Sequence, residues 1–353
     1  MLALAQVCVQ RHHDVRIYTQ SWHGEKPAKI PVVELPARAL TNHGRARKFA
    51  QQVAKELQHS PVDRVIGFNK MPGLDVYFAA DVCFAQKAFE ERSWWYRLSA
   101  RSRTYLALED AVFNPAAHTD ILLISPAQIA PFQRYYQTPD QRLHLLPPGI
   151  KRDRIMPPNY EEQRRLLRES YGLEAGERML LMVGSDFRRK GVARSIQALA
   201  ALPPALQQTT RLWIAGLDTP HPFKKLAANL GVEPWVKFLG ARDDVPQLLW
   251  SADIFLHPAH SEAAGAVLLE AMVAGLPVIT TDVCGYAHYV REQQMGEVLH
   301  STEADMQLAQ AILRVLEQDP QQWRKRGQTF AEQGDIFSMK ERAADIIERD
   351  KRN

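Results

Sequence analysis

The 353-residue chain holds only three cysteines, Cys8, Cys83 and Cys284, far apart and without metal-ligand spacing. That argues against a disulfide framework or a zinc site and fits a reducing cytosol. A transmembrane run is also missing. The apolar stretch from Ala263 to Thr281 is broken by Glu270, Gly275 and Pro277, so it cannot span a bilayer. The opening Met1–Val9 is apolar but lacks the cationic start and cleavage site of a signal peptide. The protein is therefore expected in the cytoplasm. No low-complexity tract occurs, and 46% hydrophobic with 24% charged residues is ordinary for globular domains. No Asp-x-Asp pair occurs, and His257 and His260 lack a third ligand, so neither a metal nor another cofactor is expected.

The length accommodates two domains, each with its own core. Net charge is +4, but unevenly spread: residues 1–155 carry 21 Lys and Arg against 14 Asp and Glu, and the remainder carries 23 against 26. A basic front half suits an anionic partner, with a chance surface excess as the alternative. Nucleic acid is the weakest such partner and is not expected, because the aromatics lie on a helical pattern and not on a sheet platform.

Short β-branched runs alternate with helical patterns, which implies βαβ units and parallel sheets. Strands are predicted at 15–19, 32–35, 64–68, 76–80, 121–125 and 143–146, with helices near 2–11, 43–58, 84–113 and 126–136. Pro147-Pro148-Gly149 closes this set and the polar stretch 151–163 reads as a linker. The pattern restarts with strands at 179–184, 212–215, 236–239, 254–257 and 277–281. Helices follow near 191–201, 222–230, 244–251, 262–274, 303–318 and 320–333. The expected domains are 1–155 and 156–335, with a helix in 336–353 packing back on the first. Two open α/β sheets of this kind hold ligands in the cleft they share.

The strongest chemical signal is the segment from His257 to Pro277, in which a strand, a short loop and a helix beginning near Glu262 follow one another. A helix N-terminus offers free amides and a positive dipole end, which suits a diphosphate, here through Ala263, Ala264 and Gly265. Glu262 and Glu270 are eight residues apart, or about 12 Å of helix axis. One carboxylate can then hold hexose hydroxyls and the other ribose hydroxyls. The intervening residues are nearly all apolar, so both carboxylates are expected to be buried and to need partners. The second signal is Gly184-Ser-Asp-Phe-Arg-Arg189-Lys190-Gly191, again between a strand and a helix. Cations are disfavoured at a helix start, so Arg189 and Lys190 imply a local anion, such as a diphosphate whose departure they would stabilise.

The Glu-x7-Glu helix resembles that of the retaining glycosyltransferases of GT-B fold. Within them the chain is similar to the lipopolysaccharide core α-1,3-glucosyltransferases, which use UDP-glucose. The likeness is carried by Tyr18–Trp22, Thr41–Arg45, Gly67–Cys83, Pro147–Ile150, Gly184–Gly191 and Cys284–Tyr289. It implies two Rossmann-like domains facing across a cleft and transfer of glucose from UDP-glucose to a heptose of the phosphorylated inner core. It further implies that Arg189 and Lys190 meet the diphosphate and Gly184 the donor, and that Arg242 sits beside the uracil, a plain surface arginine being the alternative. Asp81 is placed near the reacting sugars, where it would orient or deprotonate the acceptor hydroxyl. The rival readings are another UDP-sugar or acceptor, UDP-sugar epimerisation, and an inactive nucleotide-sugar-binding protein.

His43, Arg45 and Lys70 follow first-domain strands and are candidates for a phosphorylated acceptor. Trp94, Trp95, Arg97 and Arg101, read as one amphipathic basic helix, are candidates for contact with an anionic membrane surface, which would make the protein peripheral on the inner face of the inner membrane. The chain opens on a helix where a Rossmann-like domain opens with a strand and a tight Gly-containing loop. The first strand of the first domain is thus expected to be missing, the 353-residue form to be poorly soluble or inactive, and about twenty further residues to restore activity.

Overall fold

The computed structural model describes residues 1–349, so residues 350–353 of the expected C-terminal element lie outside the described residues. Two compact units are present, Met1–Pro147 with Ser338–Asn353, and Pro148–Phe337.

The first unit carries six short parallel strands: β1 (Ile17–Thr19), β2 (Val32–Glu34), β3 (Ile66–Gly67), β4 (Val76–Ala79), β5 (Asp120–Leu123) and β6 (Leu143–Leu145). They form two pieces. β1 pairs only with β2, and the other four run in the order β3-β4-β5-β6. Ile121, Leu122 and Leu123 are completely buried, as a parallel strand covered on both faces requires. The opening helix Leu2–Gln10 presents Leu4, Val7 and Cys8, spaced by three and four residues, to one face. They pack with Ala343, Ala344, Ile346 and Ile347 of the helix Met339–Ile347, and with Val76 and Leu122 of the sheet. Arg11 ties the pair by hydrogen bonds of 2.8 Å to both Asp345 and Glu348.

The second unit is a six-stranded parallel sheet of β7 (Arg178–Val183), β8 (Thr210–Ala215), β9 (Val236–Gly240), β10 (Ile254–His257), β11 (Val278–Thr281) and β12 (Gly296–Leu299). Its order is β12-β11-β10-β7-β8-β9. The order reverses between β7 and β10, so the loops leaving these two strands diverge there and open the crevice where doubly wound sheets hold ligands. Both chemical signals of the sequence, 184–191 and 258–265, are those two loops.

Two expectations are corrected. The domain boundary lies at Pro147, not at 155. Residues 148–155 belong to the second unit, held by bonds from the Ile150 amide to the Ile336 carbonyl (3.1 Å) and from the Trp250 indole to the Arg154 carbonyl (3.2 Å). Strand β12 was not among the predicted strands, because Gly-Glu-Val-Leu on a sheet edge is too short and polar to show a strand pattern.

Candidate donor and acceptor sites

The loop after β7 is shaped by Gly191, whose φ is +79°. A Cβ there would stand 2.0 Å from the Pro258 carbonyl oxygen, so only glycine lets this loop lie against the one leaving β10. The contact is reinforced by the His260 amide, which donates to the Arg189 carbonyl at 2.8 Å. Gly184 follows β7 directly and lies against the Lys190 side chain, where an added Cβ would stand 3.3 Å from Cε.

The two loops bring Glu262 together with both cations. Lys190 Nζ donates to Glu262 Oε2, and Arg189 Nη1 reaches the same oxygen at 3.2 Å and the Ser261 carbonyl at 2.9 Å. Asp186 accepts from Arg189 Nε at 2.9 Å. His257, buried at the end of β10, has Nε2 3.4 Å from Glu262 Oε2. Burial pushes the Glu262 carboxyl upward, but His257 and Lys190 outweigh it and hold the pKa at about 2. Burial likewise pushes the His257 imidazole down, which keeps it neutral at physiological pH. This carboxylate is therefore ionised and shared by two cations.

Glu262 does not lie on the helix, contrary to expectation. The helix is Ala266–Val273, and Gly265 at φ +85° turns the chain into it. Residues 262–264 instead run beside 284–286, with the Gly285 amide on the Glu262 carbonyl (3.3 Å) and the Tyr286 amide on the Ala264 carbonyl (2.8 Å). The Cys284–Tyr289 stretch thus acts as a splint for the Glu262 loop. The amides of Ala263, Ala264 and Gly265 have no acceptor among the described residues, leaving a row of donors at a helix start. Glu270 sits one turn into the helix, its carboxyl 3.3 Å from Arg154 Nε, and burial pushes its pKa up. Arg154 was invisible as a site residue because it lay in the supposed linker. Arg242 is not drawn into the Glu262 cluster: it follows the edge strand β9 and is taken up by Asp244 at 2.5 and 2.8 Å.

Acid should weaken this unit. Glu262 titrates near 4.5 when unfolded and near 2 when folded, so its stabilisation is present above about pH 5 and is lost as pH falls toward 2. The shift corresponds to about 3 kcal/mol. Urea unfolding at pH 6, 4 and 3 should show a shallower decline for Glu262→Gln than for the native chain; parallel declines would contradict the assignment.

In the first unit, Lys70 and Asp81 line one cavity of about 600 Å³. Lys70 is not a free cation. Its ammonium donates to the buried Glu109 and to the Val82 carbonyl (3.2 Å). Glu109, unremarked in the sequence, also accepts from the Phe84 and Ala85 amides at 2.8 Å and from Tyr136 Oη at 2.7 Å. With so many donors this carboxylate is satisfied without solvent and fixes the turn that carries Asp81. His43 and Arg45 occupy the first turn of the helix Asn42–His59, capped by Thr41, while Ala46 and Phe49 of the same helix reach the cavity wall. Arg45 is engaged by Asn42.

The expected single basic helix across Trp94–Tyr105 is broken. Helices Trp94–Arg97 and Ala100–Phe113 meet at Leu98-Ser99, and Ser99 caps the second by accepting from the Ser102 amide at 3.1 Å. Arg97 is turned inward. It donates to the Phe89 carbonyl at 2.7 Å and lies over the Phe89 ring at 4.7 Å, so it clamps the break. Arg101 lines the cavity. Trp94 and Trp95 are 54% and 66% exposed, stacked on each other beside the exposed Leu98.

A doubly wound sheet with a buried carboxylate, two cations and free helix amides at its switch point defines a nucleotide-sugar-dependent transferase site. Residues 163–330 match the family of glycosyl transferases group 1. Across 348 residues the chain is 45% identical to the lipopolysaccharide glucosyltransferase WaaG of Escherichia coli (strain K12), covering 98% of this chain and 93% of that protein. The crystal structure of WaaG, a glycosyltransferase involved in lipopolysaccharide biosynthesis, superposes with a TM-score of 0.93 at 45% identity, covering 99% of this chain and 95% of that one. The sucrose-phosphate synthase of Thermosynechococcus elongatus, at 19% identity and a TM-score of 0.77 over 98% and 90% of the two chains, shares the fold. The chain belongs to the group 1 glycosyltransferases of GT-B fold, in the lipopolysaccharide glucosyltransferase family.

Proposed function

We propose that this chain transfers glucose from UDP-glucose, with retention, to a heptose of the phosphorylated inner core of lipopolysaccharide. The observation that carries the reading is the Glu262–Lys190–Arg189 cluster at the switch point of the second sheet, in a chain 45% identical to WaaG over almost its whole length. Glu262 is assigned to the hexose hydroxyls and Glu270 to the ribose. Arg189, Lys190 and the amides of Ala263, Ala264 and Gly265 take the diphosphate and the charge that develops as UDP leaves. These groups supply that charge from the protein, so no divalent ion is required, and EDTA should leave the rate unchanged. Asp81 orients the acceptor hydroxyl, and Arg242 stands by for the uracil from the β9 edge. The direct test is transfer of labelled glucose from UDP-glucose to deglucosylated lipopolysaccharide. Transfer from another UDP-sugar in preference would overturn the donor assignment.

No described helix is long and apolar enough to cross a membrane. We assign the enzyme to the cytoplasmic face of the inner membrane, where the exposed Trp94, Trp95 and Leu98 would enter the lipid interface. The double change Trp94→Ser with Trp95→Ser should abolish most flotation with anionic vesicles and leave thermal stability intact. Arg97→Ser, by contrast, should lower stability because it opens the clamp on Phe89. Undiminished flotation of the double variant would remove these rings from the membrane contact.

A further inference from the structure

Four cations, Lys70, Lys87, Arg92 and Arg101, line the first-unit cavity, with Asp81 as the carboxylate on its wall. Lys70 is neutralised by Glu109. Among the described residues Lys87, Arg92 and Arg101 have no ion-pair partner, so these three cations against the one carboxylate of Asp81 leave the cavity wall net positive. Such a grouping raises its own electrostatic energy unless an anion occupies it. The arginines are also held ready. Arg92 lies over the Tyr96 ring at 5.8 Å and Arg101 over the Tyr105 ring at 5.7 Å. A cation–π contact of this kind uses none of the guanidinium N–H donors, which stay free for the forked geometry that phosphate accepts.

We propose that Lys87, Arg92 and Arg101 form a binding site for phosphate groups carried by the acceptor glycan. This rests on the reading that the chain glycosylates a phosphorylated saccharide, and it moves Arg101 from the membrane surface to the substrate. A lipid headgroup shares the chemistry but lies in a plane, whereas these donors converge on a cavity of ligand size, walled partly by Phe84, Tyr96 and Tyr105. The aromatic rings supply faces for sugar rings while the cations take the phosphates.

The test uses delipidated, deglucosylated core oligosaccharide, intact or stripped of phosphate with hydrofluoric acid. Arg92→Ser with Arg101→Ser should raise the KM for the intact acceptor at least tenfold. It should leave UDP affinity, vesicle flotation and kcat/KM for the stripped acceptor at native values. Lys at both positions should restore part of the loss. Equal loss with both acceptors, an unchanged KM, or lost flotation with an unchanged KM would each overturn the proposal. Should the native enzyme glucosylate neither acceptor, the transfer reading fails separately. Calorimetry with intact oligosaccharide still tests the site, and a variant that binds it as tightly as the native chain would overturn the proposal.

Discussion

Glu262→Ala should reduce glucose transfer by a hundredfold to ten-thousandfold while UDP still binds. The carboxylate is assigned one or two charge-assisted hydrogen bonds to hexose hydroxyls, each contributing about 1.5–3 kcal/mol, and two such bonds correspond to that range. The variant also leaves Lys190 and Arg189 without their shared partner, which favours the diphosphate and guards against a trivial loss of UDP. Glu270→Ala should show the opposite pattern. UDP affinity should fall roughly tenfold to a hundredfold, since the ribose contact is lost and Arg154 keeps only Asp153 of its two carboxylate partners. Calorimetry with UDP alone separates the two. Loss of UDP affinity in Glu262→Ala but not in Glu270→Ala would show the roles to be reversed.

Lys190→Ala should lower kcat by roughly a hundredfold to a thousandfold, the usual effect of removing one donor aimed at developing charge. It should also move the acid limb of the pH–rate profile upward. Lys190 is one of the groups that hold Glu262 near 2, and without this cation the carboxyl protonates at higher pH. A merely structural lysine would lower the rate without displacing that limb. Unchanged kcat would remove Lys190 from the leaving-group chemistry.

The parallel sheets were legible because β5, β7 and β10 are short apolar runs that no amphipathic helix would show. The chemical loops were legible as well, since Gly184–Gly191 and the Glu262 segment each follow such a run. What pattern could not reveal was the backbone between Glu262 and Ala266. A positive φ at Gly265 stops the helix short of Glu262 and turns the carboxylate toward Lys190. The break at Leu98-Ser99 left a sign, a serine able to cap the next helix, in a stretch whose composition otherwise reads as continuous. Glu109 left none. Its partners Lys70 and Tyr136 are 39 and 27 residues away, and a carboxylate on a helix reads as solvated until the fold closes over it.

The measurement that bears most directly on the account is the anomeric configuration of the product formed from UDP-glucose and deglucosylated, phosphorylated lipopolysaccharide, read by proton NMR. The native chain should yield an α-linked glucose on heptose, and Glu262→Ala should yield almost none under the same conditions. A β-linked product, or equal yield from the variant, would contradict a retaining transfer built on Glu262.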